Sequence, residues 1–171
     1  MQTYKKDKTV KLTMLRKELL EDIEDYANKE AQKMSEDDEP ARHMVKDICQ
    51  DDNLPRVTRV LDMSFDECVD MLYPYSKVPV ADVTEKDDRL HEREQYELMM
   101  LVPKDFSHTT VELLTRKVHE YMVCAVLADW MSICKPDSQA NWETKKAVCE
   151  TDIKTKINNR VGRVRRPLNP F

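Results

Sequence analysis

One glycine, Gly162, stands in a chain of 171 residues. Glycine has no Cβ, so it reaches positive φ at little cost and lets the backbone come close to a ligand. Tight hairpins, bulges and phosphate-cradling loops draw on it for that reason. A chain with one glycine near its end cannot build either of the glycine-rich nucleotide-binding loops and has little material for short hairpins. Helix remains the available regular structure, and a 36% share of charged residues suits long solvated helices. This length buries one core with or without a docked tail, so one domain is expected.

Leu12, Leu15, Leu19, Ile23, Tyr26, Ala27, Ala31 and Met34 recur at mostly helical spacing, which predicts an amphipathic first helix over 9–35. The run ending in Pro40 should break it, because a residue before proline avoids the helical region, with a short resumption around Ala41 to Cys49. Asp52 or Asn53 offers an N-cap, and Pro55 a first turn, for a second main helix over 53–73. Its apolar face is Leu54, Val57, Leu61, Phe65, Cys68 and Leu72. Residues 78–102 read as loop and strand, with Tyr96 to Val102 the best strand candidate. A lone strand is unstable, and two partners stay open for it: the Val78 to Val83 region or a neighbouring subunit.

Thr109 and Glu112 form a capping-box pattern opening a third main helix over 109–134. Its stretch from Tyr121 to Cys134 is apolar nearly all round. A membrane span needs about 20 such residues, so a buried core helix is expected. After a turn at Lys135 to Ser138, Trp142, Cys149, Ile153 and Ile157 mark one face of a last helix over 138–161, with Gly162 at the C-cap position. Trp130 and Trp142 flank that turn and are assigned to packing that staples the last two helices. The expected fold is mainly α: a single-domain bundle of about four helices over 1–162, with a small β-hairpin or lone edge strand, and an extended arm over 163–171.

The residues offer little to an enzyme. His43, His91, His108 and His119 contain no HExxH pair and no Cys/His quartet at zinc spacing, and no metal site is expected. Cys134 with His119 or Asp129 would be the one nucleophile arrangement to imagine, but the cysteines sit in apolar stripes and read as core residues. Paired carboxylates such as Asp51/Asp52 and Asp87/Asp88 read as solvated faces. No catalytic residue and no cofactor is therefore expected. Five scattered cysteines and an N-terminus without an apolar h-region point to a reducing compartment and mark no secretion signal.

The net charge of −5 conceals an asymmetry. Carboxylates crowd Glu18 to Asp52, whereas Lys154, Lys156, Arg160, Arg163, Arg165 and Arg166 have no acid among them to the C-terminus. In the arm Arg163, Val164, Arg165, Arg166, Pro167, Leu168, Pro170 and Phe171, apolar groups alternate irregularly with cations and rigid prolines. Phosphate binding gains nothing from a terminal phenylalanine, so a groove on a protein is favoured. A nucleic-acid-binding regulator using the basic tail is the alternative.

The strings LYPYSK, YELMMLVPKDFS, HEYMVCAVLADWMSICKPD and GRVRRPLNPF resemble those of small neck proteins of tailed bacteriophages and prophages of gut Bacteroidetes. The likeness covers roughly residues 54 to 171. It implies a head-tail connector or adaptor subunit of the virion, assembled in the host cytoplasm. Such a subunit forms a homo-oligomeric ring beneath the portal, touches other neck and tail proteins, and lets DNA pass without sequence-specific binding. The arm would then be the docking element, and acidic helices would keep a channel from trapping DNA.

Overall fold

A computed structural model of the chain describes residues 7–78 and 80–161. In order it contains β1 (Lys8–Leu15), α1 (Arg16–Gln32), α2 (Glu39–Lys46), a 3-10 turn (Asp47–Cys49), α3 (Leu54–Met71), β2 (Gln95–Val102), α4 (His108–Cys134) and α5 (Pro136–Lys156). The mainly helical architecture is as expected. The described residues hold five α-helices, where about four were expected, because the segment after Pro40 forms a helix of its own. Pro40 lies in the first turn of α2, where its missing N–H costs nothing, so it starts a helix.

The predicted first helix over 9–35 is half right. From Leu19 onward the stripe Leu19, Ile23, Ala27 and Ala31 is buried along α1 as the spacing requires. Before it, Lys8–Leu15 is a strand: Leu12 and Met14 face the core while Thr9, Lys11, Thr13 and Leu15 face out. Leu12 and Leu15 satisfy a helical series as readily as Leu12 and Met14 satisfy an alternating one, so the period is ambiguous over so short a run. The need of β2 for backbone partners decides it.

Those partners correct the second expectation. β2 pairs antiparallel with β1, from Lys8 opposite Val102 to Leu15 opposite Gln95, and not with the Val78 to Val83 region. Residues 78 and 80–93 contain no strand. The two strands therefore form a ribbon joined through the whole α1–α3 unit, with no tight turn for the missing glycines to build. Its inner face, Leu12 and Met14 with Tyr96, Leu98, Met100 and Val102, closes one side of the core. The rings of Phe65 on α3 and Tyr96 lie 5.3 Å apart between centroids.

α4 is the centre. Every residue from Tyr121 to Ala128 is buried, and α5 packs along it as the most extensive helix pair. No helix among the described residues is long and apolar enough to cross a membrane. The last helix ends at Lys156, short of the predicted 161, where Ile157 N–H still bonds to Ile153 O; Gly162 lies outside the described residues. Of the two expected caps, Asn53 holds its position, without a side-chain cap bond, and the other is a different residue. Ser107, not Thr109, precedes α4, and Asn53 leads α3 but spends its amide on Asp47 O at 2.7 Å. Trp130 and Trp142 are core residues as assigned, but they tie the last two helices to the first two. Trp130 Nε1 donates to Val45 O at 3.2 Å, and the Trp142 ring meets Tyr26 edge-on at 5.2 Å.

Candidate assembly surface

The arm residues named from the sequence, Arg163 to Phe171, lie outside the described residues. The structure does describe their root. After α5 the chain turns back toward the β2–α4 connection: Phe106 and Arg160 form an antiparallel bridge, and Val161 N–H donates to Asp105 O at 3.0 Å. Arg160 holds this junction. Its guanidinium carbon stands 5.6 Å from the centroid of Tyr75 and 5.3 Å from that of Phe106. It donates to the Tyr75 hydroxyl and to the carbonyls of Ile157 (3.3 Å) and Asn159 (2.9 Å), and Asp105 lies 3.9 Å from Nε. Sequence reading grouped Arg160 with the free cations of the tail. A side chain only 17% exposed, with its fork occupied and aromatic rings beside it, is an anchor.

Tyr75 links this anchor to the ribbon, because its carbonyl accepts from Leu101 N–H at 2.8 Å. The outer face of the ribbon begins there. Leu101 and Met99 on β2 and Leu15 on β1 are large apolar residues left 56%, 50% and 43% exposed. Between them Lys11 and Glu97 form an ion pair across the strands, and Gln95 Nε2 donates to Glu97 at 2.6 Å. Tyr73, Val78, Val80 and Val83, in the segment between α3 and β2, are also strongly exposed, with Lys77 4.3 Å from the centre of the Tyr73 ring.

Beneath the ribbon lies a polar cluster that no local spacing of residues marks. Arg16 Nη2 donates to the buried Thr58 hydroxyl at 3.0 Å and its Nη1 stands 3.5 Å from Glu92, while Arg93 Nε is 3.8 Å from Asp62. The Tyr96 hydroxyl, Asp62 Oδ1 and Arg16 Nε are buried without a hydrogen bond among the described residues. Burial, and then the neighbouring Asp62 carboxylate, push the Tyr96 phenol well above its usual pKa.

No known family model, curated protein or solved structure matches this chain. Its chemistry is therefore read from its own geometry. The residues considered for a cysteine nucleophile are not brought together: Cys134 Sγ donates to Met44 O at 3.8 Å, His119 Nε2 meets Asp22 at 2.8 Å, and Asp129 accepts from Arg56 Nε at 2.9 Å. All five cysteines are free thiols. Burial pushes Cys49 up to about 11 and Cys124 up to about 12, and raises Cys68, Cys134 and Cys149 as well, so thiolate is scarce at neutral pH. His43, His91 and His108 each lie near a carboxylate four residues away on the surface. Among the described residues no three His, Cys, Asp or Glu side chains converge as metal ligands.

Proposed function

We propose that this chain is a non-catalytic assembly subunit, of the head-tail connector kind that its sequence strings resemble. In this reading it joins a homo-oligomeric ring against a portal and other neck and tail proteins, with DNA passing through. The observation that carries the reading is the Arg160 anchor. An arm free to wander would need no such root. Here a half-buried guanidinium, two aromatic rings and a backbone bridge fix the chain at Arg160 and Val161, just before the arm and beside the exposed end of the ribbon. Setting the root reduces the orientational freedom lost when a terminal segment docks, which is how preorganisation raises affinity.

The test is the native mass of the full chain, alone and mixed with a portal ring, beside a chain lacking Arg163 to Phe171. The truncated chain should keep the far-UV spectrum and unfolding midpoint of the full chain, because the core is already built by the described residues before 162, and it should lose portal attachment. Attachment that survives truncation overturns the arm's role. A chain that ignores the portal and binds duplex DNA with steep salt dependence replaces this reading with the nucleic-acid one.

A further inference from the structure

The ribbon has two edges, and its hydrogen-bond parity identifies which backbone groups they present. Arg16 N–H donates to Glu94 O at 3.0 Å, continuing the ladder one step beyond the strands, so the even-numbered residues of both strands face each other across the ribbon. The odd-numbered residues then point their N–H and C=O groups away. Leu101 agrees, since its N–H is spent on Tyr75 outside the ribbon. Thr9, Lys11 and Thr13 line the β1 edge, and Gln95, Glu97 and Met99 line the β2 edge. None of these backbone groups has a hydrogen-bond partner among the described residues. The side chains of the same six residues are all exposed on the outer face.

We propose that the β1 edge of one copy pairs antiparallel with the β2 edge of the next, head to tail, with Lys11 beside Glu97 of the next copy. This rests on the assembly reading above and names the contact through which copies join. The occupant is argued from charge. Each strand carries one ionic side chain in the free stretch, Lys11 on β1 and Glu97 on β2, and within a copy they already pair. Joining β1 to β2 extends that pair into an alternating row of lysine and glutamate across the enlarged sheet. A two-fold pairing of β2 with β2 brings Glu97 toward Glu97, and of β1 with β1 brings Lys11 toward Lys11, both unfavourable for neighbouring strands. Head-to-tail contacts are also the kind that close rings, whereas two-fold contacts stop at dimers. With Lys11 beside Glu97, Thr9 meets Met99 and Thr13 meets Gln95. Met99 thereby gains the Thr9 methyl group as a neighbour, and the stretch ends before Leu101, whose N–H Tyr75 already accepts.

The experiment compares the native mass of the full-length protein over a range of concentrations, with and without a portal ring, for the wild type and four variants. Thr13→Pro removes one outward N–H and leaves the inner ladder untouched, since proline is tolerated on an edge whose N–H faces solvent. It should keep the wild-type unfolding midpoint and weaken association at least tenfold. Lys11→Glu and Glu97→Lys should each weaken association to a similar degree, and the double exchange Lys11→Glu/Glu97→Lys should restore it. Rings that form equally well from Thr13→Pro overturn the edge pairing and leave the assembly reading standing. A closed dimer of the wild type also overturns it, in favour of a two-fold contact. A wild-type chain that stays monomeric at every concentration and beside the portal overturns both.

Discussion

Arg160 donates a hydrogen bond to the hydroxyl of Tyr75, 85 residues earlier in the chain, and lies 5.6 Å from the centre of the same ring. Through that pair the end of the last helix, the segment after α3 and the end of β2 become one rigid corner. Cation–aromatic contacts are worth about 0.5–2 kcal/mol each, more as water is excluded. Arg160→Ala should lower unfolding free energy by about 1–3 kcal/mol on that ground, measured by urea titration at constant m. Arg160→Lys should recover only part, since an ammonium lacks the planar fork that serves the hydroxyl and carbonyls together.

The strand assignment of residues 8–15 can be separated from the helical alternative by two neighbouring truncations. Met14 is 2% exposed and Leu15 43%. Met14→Ala should cost about 2–5 kcal/mol, as for other buried large-to-small changes. Leu15→Ala should cost under about 1 kcal/mol, because its side chain already meets water. A helix carrying Leu12, Leu15 and Leu19 on one face would reverse that order.

Glu30 should contribute to the acid sensitivity of the fold. Burial pushes its carboxyl up, but hydrogen bonds from Lys33 (3.0 Å) and Lys135 (3.1 Å) outweigh it and hold the pKa below the ordinary 4.5. A depressed folded-state pKa gives stability that is fully present above the unfolded value and is lost as pH falls through the folded value. Glu30→Gln should therefore be less stable than wild type at pH 7 by about 1–2 kcal/mol. The difference should shrink as pH drops below 4.5. Urea midpoints of both proteins over that range measure it.

Tyr96→Phe should be neutral or stabilising by up to about 1 kcal/mol, because it removes a buried hydroxyl that makes no hydrogen bond of good geometry among the described residues and keeps the ring against Phe65. A loss beyond about 1 kcal/mol in thermal or urea unfolding would mean that the hydroxyl is satisfied within the cluster of Arg16, Asp62 and Arg93.

Much of the helical body was legible in the sequence because burial on a helix is a local, repeating signal. Val57, Leu61, Phe65 and Cys68 on α3, and Trp142, Cys149 and Ile153 on α5, are buried as their spacing required. The apolar run of α4 from Tyr121, interrupted at Asp129, marked the centre of the core. Chain positions of the candidate surface were legible in part. Tyr96 to Val102 stood out as a strand, but Arg160 read as one more tail cation.

What the tertiary structure alone decided are the relationships that carry no period. Lys8–Leu15 fits either helix or strand by itself, and it is a strand because β2, 80 or more residues away, needs its backbone groups satisfied. His119 meets Asp22, Arg16 meets Thr58, and Arg160 meets Tyr75 across separations that no local spacing encodes. Apolar patterning is written residue by residue into one element, so one sequence suffices to read it. The partner of a strand or of a guanidinium is settled only when distant segments are packed together and each buried polar group must find a counterpart.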